Sequence, residues 1–269
     1  MEKIIHTVLH VGLEKPVKIL HVTDVHLTHS AERDPETQRT LLADRTWTFR
    51  REGKYPTYTP DEYFTEAIRM AKEKDSLLVV TGDVMDLLCE GNIAAFHRIV
   101  DGHDMMFTPG GHETQYICRR TMEEEAPYPE QACARLKAAF PAFDMAFDSR
   151  IINGLNIVTA NSALEYFPRE TVERFEAELA KGLPMLVFTH VPMNDKLMGI
   201  TEPYHPNVRL TAEDYRISNR MRDALVHNPL VIATVTGHSH AQNDIEIDGK
   251  MHYNTPGLFA GICRMIEVY

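Results

Sequence analysis

The chain has 269 residues, of which 43% are hydrophobic and 25% are charged, as is ordinary for a globular protein with a sizeable core. Its formal net charge of −11 argues against general nucleic-acid binding, which requires a basic surface, although a local basic pocket remains compatible with it. No run of apolar residues is long enough to span a membrane, and the first residues lack the apolar core of a signal peptide. We therefore expect a cytoplasmic protein without membrane association.

The first part of the chain predicts two strands followed by a long connection. Ile4 to Val11 and Val17 to Thr23 are rich in apolar residues, and Gly12 to Pro16 is suited to a hairpin connection between them. The segment Leu27 to Tyr58 has no clear period, so we expect either a functional loop or a surface excursion packed by Trp47.

Helices and strands then alternate. Thr59 can cap a helix, Pro60 suits its first position and Glu62 completes a capping box. Further helices are predicted over Ile93 to Val100, within Thr114 to Phe140, after Pro168 and after Thr211. Strands are predicted over Leu77 to Thr81, Ile151 to Val158 with a turn at Asn153-Gly154, Ile245 to Ile247, Met251 to Asn254, and Ile262 to Val268. The absence of a clear linker predicts a single domain over residues 1–269.

Five apolar runs deliver Asp or His to the end of a predicted strand. Singly, such residues are usually turn formers or structural histidines. Together they predict one chemical site, because open α/β sheets bind ligands beyond the carboxyl ends of their strands. Asp and His also suit zinc, iron and manganese. The residues are Asp24 and His26, Asp83, His112, His190, and His238 and His240.

These motifs resemble those of the calcineurin-like metallophosphoesterases. The matching sequences, in family order, are Asp24-x-His26, Gly82-Asp83-x-x-Asp86, Gly111-His112-Glu113, His190 and Gly237-His238-x-His240. The resemblance implies an α/β fold, a four-layer α/β/β/α sandwich, with a metal site at the carboxyl ends of the strands. It also implies a hydrolase with two divalent metal ions, manganese, iron (Fe2+ or Fe3+) or zinc, that activate a hydroxide for attack on a phosphate ester.

The family pattern assigns a role to each matching residue. Asp24, His26 and His240 would hold the first metal, His190 and His238 the second, and Asp83 would bridge the two. His112 matches the histidine that donates a proton to the leaving alkoxide. Asp86 would orient His112, and its alternative is a helix N-cap.

One position departs from the family pattern. Gly111 stands where the family has an asparagine, whose amide oxygen helps to hold the second metal and the phosphate. Water could fill this position, Asn161 or Glu113 could substitute for the missing oxygen, or the site could be impaired. The last possibility gives the alternative to an enzyme, a metal-binding or interaction scaffold of the same fold.

The substrate class depends on the segments around the motifs. The resemblance to bacterial cyclic-nucleotide phosphodiesterases favours a diester of a small molecule, with a phosphomonoester as the other possibility. A protein phosphatase is less consistent with Leu87-Leu88 after Asp86, and the net charge argues against a nuclease. Arginines could bind further phosphate or carboxylate oxygens, and the candidates are Arg33, Arg39, Arg45 and Arg209.

Overall fold

A computed structural model describes residues 1–52, 56–114, 128–192 and 210–269. The strands are β1 (Lys3–Leu9), β2 (Val17–Thr23), β3 (Leu77–Thr81), β4 (Met105–Thr108), β5 (Phe147–Ile152), β6 (Leu155–Ala160), β7 (Met185–Phe188), β8 (Val231–Thr236), β9 (Ile245–Ile247), β10 (Lys250–Asn254) and β11 (Ile262–Val268). The helices are α1 (Glu36–Arg51), α2 (Pro60–Glu73), α3 (Glu90–Val100), α4 (Gly111–Thr114), α5 (Tyr128–Ala139), α6 (Arg169–Leu179) and α7 (Ala212–His227), with a short 3-10 helix over Leu258–Ala260.

The strands form two sheets. The first has the order β1-β11-β2-β3-β4 and the second has the order β5-β6-β7-β8-β10-β9. Strands β2, β3 and β4 run parallel to one another, as do β6, β7, β8 and β10. The carboxyl ends of neighbouring parallel strands therefore share an edge in each sheet, which brings the residues that follow them together.

Three apolar layers hold the sheets and helices together. Between the sheets, Ile19 and Val79 of the first pack with Ile157 and Phe188 of the second. The other face of the first sheet packs against α2, α3 and α5, and the other face of the second packs against α6 and α7. This arrangement confirms the predicted four-layer α/β/β/α sandwich.

The predicted hairpin between the first two strands is wrong. The last strand, β11, lies between β1 and β2 and pairs with both, parallel to β1 and antiparallel to β2. Its partners are more than 200 residues away in sequence, and the short Gly12 to Pro16 connection carries no sign of the inserted strand.

The segment Leu27 to Tyr58 is not a plain loop, because it contains the 16-residue helix α1. Only Leu42 and Phe49 of this helix are buried. With so few buried positions, the helix lacks the apolar stripe by which an amphipathic helix is recognised in a sequence.

Several local predictions are confirmed. Thr59 forms the capping box with Glu62 at the start of α2, and Thr211 caps α7. The turn at Asn153-Gly154 joins β5 and β6, with φ of 50° and 86° at these two residues, as a tight hairpin turn requires. Within the described ranges, no helix combines the length and the apolar character needed to cross a membrane.

Replacing the cap of α2 tests the local account of its first turn. Thr59→Ala removes the acceptor for the Glu62 backbone N–H and should lower the free energy of unfolding by about 1 kcal/mol. Thr59→Ser keeps the hydroxyl and should retain most of the stability. Urea denaturation of both variants measures the difference, and equal losses would show that the hydroxyl contributes nothing.

Candidate metal centre and active site

The structure brings the six candidate ligands to one edge of the sandwich in two groups. Cluster A consists of Asp24, His26 and His240, and cluster B consists of Asp83, His190 and His238. Within each cluster, one potential ligand atom from each residue lies within 4.8 Å of the others. The residues follow strands β2, β3, β7 and β8, so the parallel sheet topology creates both clusters.

The two histidines of cluster A lie near one oxygen of Asp24. Asp24 Oδ1 lies 3.1 Å from His240 Nε2 and 3.9 Å from His26 Nε2. The other oxygen, Oδ2, accepts hydrogen bonds from the Thr23 hydroxyl and the His238 backbone N–H, which fixes the carboxylate plane. Burial raises the pKa of Asp24, but the contact with His240 and the His190 charge outweigh it and lower the pKa to about 2. The carboxylate is therefore ionised at neutral pH.

Cluster B pairs a buried histidine with Asp83. His190 Nε2 lies 3.1 Å from Asp83 Oδ2, and His190 Nδ1 donates to the Thr81 backbone oxygen at 2.8 Å. Asp83 Oδ1 accepts from the His112 backbone N–H, which leaves Oδ2 facing the cluster. Burial lowers the pKa of His190, but the Asp83 charge more than compensates and raises it to about 9. A bound metal would displace that proton, because a histidine ligand must be neutral.

Two buried atoms indicate that these clusters fit metal ions. Asp24 Oδ1 in cluster A and His190 Nε2 in cluster B have no hydrogen-bond partner among the described residues. Buried polar atoms are nearly always satisfied, and orphaned ones require an explanation. Here each orphan faces other Asp or His ligand atoms within its cluster, which suits coordination of a borderline divalent cation.

Asp86 joins His26 and His112 in a third group beside cluster A. Its Oδ1 lies 2.7 Å from His26 Nδ1 and 3.3 Å from His112 Nδ1, and its backbone oxygen accepts from His112 Nδ1 at 2.9 Å. The helix N-cap alternative for Asp86 is wrong, because Cys89 occupies that position at α3.

The carboxylates also set the protonation of this third group. Burial lowers the pKa of His112, but Asp83 and Asp86 more than compensate and raise it to about 10. For Asp86, burial raises the pKa, and hydrogen bonds from Arg45, His112 and His26 reverse this and hold it well below its usual range. The group therefore combines a carboxylate with an imidazolium at neutral pH.

Glu113 supports the Asp83 turn, a role that sequence reasoning missed. Its buried carboxylate accepts backbone N–H bonds from Asp83 and Gly110 at one oxygen and from Met85 at the other. Burial raises the pKa of Glu113 to about 7, against the effect of these donors. Since both oxygens are engaged, Glu113 does not offer a replacement for the asparagine oxygen missing at Gly111.

Asn161 is the other candidate for the asparagine oxygen missing at Gly111. The Asn161 side-chain oxygen accepts from the Ala163 backbone N–H at 2.9 Å, so it serves a local turn. Gly111 is half-buried and begins α4, directly before His112. The expectation that Asn161 or Glu113 supplies the missing oxygen is therefore not supported by their contacts.

The backbone around the clusters is tightly constrained. Five of the six candidate ligands have φ between 49° and 69°, a region that non-glycine residues seldom adopt and that often marks functional sites. Added side chains would collide with Asp83 at Gly110 and with Thr23 and Asp24 at Gly237. The sequence signal for this packing is the glycine that directly precedes Asp83 and His238.

The candidate substrate arginines do not share one environment. Arg45 donates two hydrogen bonds to Asp86, at 2.6 and 2.7 Å, which was not expected from its sequence context. Arg33 and Arg39 are exposed, and no hydrogen bond or ion pair within the described residues links them to either cluster. Arg209 lies outside the described residues.

The chain matches the calcineurin-like phosphoesterase family over residues 17–242. This match covers most of the sequence and includes every candidate ligand, together with His112 and Asp86. The chain therefore belongs to the calcineurin-like phosphoesterase family. A comparison with curated protein sequences gave no match.

Solved structures with a similar chain trace are distant in sequence. One is a provisionally assigned 5′-nucleotidase from Staphylococcus aureus in complex with α-ketoglutarate, with 13% identity, a TM-score of 0.48, and coverage of 90% of this chain and 49% of that one. The present chain thus spans about half the length of that protein. Another is the phosphopantetheinyl hydrolase of Mycobacterium tuberculosis, with 13% identity, a TM-score of 0.45 and 90% coverage of both chains. A third is an archaeal phosphodiesterase, with 12% identity, a TM-score of 0.38, and coverage of 90% and 86%.

Replacing Glu113 tests its support of the Asp83 turn. Glu113→Gln exchanges one acceptor oxygen for an NH2 group that faces a backbone N–H, which should lower the free energy of unfolding by about 1–3 kcal/mol. Glu130→Gln changes an exposed glutamate of α5 and serves as the matched control. Urea denaturation measures both, and equal effects would contradict the assigned role.

Proposed function

We propose that the protein is a metal-dependent phosphoesterase that hydrolyses phosphodiesters of small molecules. The observation that carries the proposal is the pair of adjoining clusters, each with a buried ligand atom that lacks a hydrogen-bond partner among the described residues. Membership of the calcineurin-like phosphoesterase family supports the reaction class. The proposed substrate is a small molecule, because a net charge of −11 disfavours nucleic acid.

Each cluster would hold one divalent metal ion. Asp24, His26 and His240 would bind the first, and Asp83, His190 and His238 would bind the second. By the family pattern, Asp83 would also serve the first ion. Manganese, iron and zinc all suit this mixture of carboxylate and imidazole ligands. Two such ions, when bound, polarise the phosphoryl oxygens and provide a nucleophile at neutral pH.

His112 is suited to donate a proton to the leaving alkoxide. Its Nδ1 must carry hydrogen to donate to the Asp86 backbone oxygen, and its Nε2 lies on the other side, 3.9 Å from Asp83 Oδ2. The side chain is 20% exposed, so a substrate can reach it, whereas His26 and His190 are fully buried. Proton donation at this atom would improve expulsion of a poor leaving group.

Charge balance favours a diester over a monoester. A monoester carries a second negative charge, which a protein with a net charge of −11 repels. The described arginine at the site, Arg45, already has its guanidinium hydrogen-bonded to Asp86. A diester carries a single negative charge and suffers less repulsion from an acidic protein.

Turnover of chromogenic esters tests the proposed reaction. We expect the protein with manganese to hydrolyse bis-p-nitrophenyl phosphate faster than p-nitrophenyl phosphate, and a chelator to remove both activities. Preference for the monoester would contradict the diester assignment. Failure to hydrolyse either ester with manganese, iron or zinc would favour the scaffold alternative suggested by Gly111.

Substitution of His112 tests the proton donor. His112→Ala should lower kcat by about 100-fold or more, because proton donation is lost, while the metal content stays near that of the unaltered protein. His103→Ala removes an exposed histidine that precedes β4 and is the control. Steady-state kinetics and metal analysis of the same samples provide the readout, and loss of metal in His112→Ala would identify His112 as a ligand instead.

Restoring the family residue at Gly111 tests the second metal site. Gly111→Asn adds an amide oxygen at this position, so we expect tighter binding of the second manganese ion. Gly111→Ala adds a side-chain atom without an acceptor and should give no such gain. Calorimetric titration compares the affinities, and the same affinity in all three proteins would show that the amide is not needed.

A further inference from the structure

Arg45 of helix α1 places its guanidinium against Asp86, which contacts the candidate proton donor His112. Arg45 Nε donates to Asp86 Oδ2 at 2.6 Å, and Arg45 Nη2 donates to Asp86 Oδ1 at 2.7 Å. The carboxylate is fully buried, and this two-point contact fixes both its position and its plane. A lysine would contact the carboxylate as a single point charge and could not fix the plane in the same way.

The fixed carboxylate contacts two histidines with different proposed tasks. Asp86 Oδ1 accepts from His26 Nδ1, which places hydrogen on that nitrogen and leaves the His26 Nε2 lone pair facing cluster A, 3.2 Å from His240 Nε2. The same oxygen lies 3.3 Å from His112 Nδ1, close to the bond that His112 makes with the Asp86 backbone oxygen. One carboxylate therefore orients both rings, and its own orientation depends on Arg45.

Aromatic packing holds the arginine in this position. The Arg45 guanidinium lies 4.6 Å from the centre of the Phe49 ring, one helical turn further along α1. Phe49 stacks on Phe259, and both rings adjoin the imidazole of His26. The helix is thus attached to the wall of cluster A through Phe49 as well as through Arg45.

We propose that Arg45 is a positioning residue that acts through Asp86 to orient His112 for proton donation and His26 for metal binding. This inference rests on the proposed phosphoesterase function. Arg45 is 32% exposed, and direct binding of substrate is the competing assignment. The positioning assignment follows from the contacts, because the Nε–Nη2 edge of the guanidinium, one of its two forks for a phosphate, is engaged by Asp86.

Kinetics with two leaving groups separate the assignments. Arg45→Met keeps an unbranched chain beside Phe49 and removes the fork, so kcat for diphenyl phosphate should fall by about 10–100-fold with KM little changed. The fall should be smaller for bis-p-nitrophenyl phosphate, because p-nitrophenolate leaves without much help from a proton donor. Arg50→Met alters an exposed arginine of the same helix and is the control. An increase in KM with unchanged kcat would overturn the proposal in favour of substrate binding.

A measurement without turnover tests the positioning directly. In the metal-free protein, the His26 Nδ1–H bonded to Asp86 should give a downfield proton resonance in the NMR spectrum. Arg45→Met should shift or broaden this resonance, and an unchanged resonance would overturn the proposal. If the unaltered protein neither binds manganese nor hydrolyses either ester, the proposed function fails, whereas this spectrum still decides the role of Arg45.

Discussion

Compensation of buried negative charge is the constraint on which the site depends. Asp24, Asp83 and Asp86 are all buried at one edge of the sandwich, and burying an uncompensated ion costs on the order of several kcal/mol. Arg45 compensates Asp86 through two hydrogen bonds. Asp24 and Asp83 instead face histidine rings at ion-pair distance, yet Asp24 Oδ1 and His190 Nε2 have no hydrogen-bond partner among the described residues. Divalent cations would supply the missing positive charge.

The backbone conformation around the ligands fixes the positions of these charged side chains. Gly82 has a φ of 66°, and an added side chain there would collide with Gly110 and His190. Glu113 then ties the Asp83 turn to Gly110, so the ends of β3 and β4 form one unit. This rigidity matters for the proposed chemistry, because metal ligands and a proton donor must keep their separation while a substrate enters.

Local patterns predicted that Asp and His residues gather at one sheet edge, whereas the four layers and the division into two ligand clusters were implied by the family resemblance. A buried strand shows as an apolar run, and the residue that follows it lies at a predictable edge, as with Asp83 and His190. Contacts that depend on distant segments were not predictable. Helix α1 has only two buried residues, so neither the helix nor the bond from Arg45 to Asp86 had a signal, and the position of β11 between β1 and β2 depends on pairing across nearly the whole chain.

Metal stoichiometry tests the central claim most directly. Protein purified without chelator and then dialysed against manganese should contain two metal ions per chain, one for cluster A and one for cluster B. Inductively coupled plasma mass spectrometry gives this count, and Asp24→Asn and His190→Asn in separate samples should each reduce it. A protein that contains no bound metal after exposure to manganese, iron and zinc would contradict the account. Asp24 Oδ1 and His190 Nε2, which lack hydrogen-bond partners among the described residues, would then need another explanation.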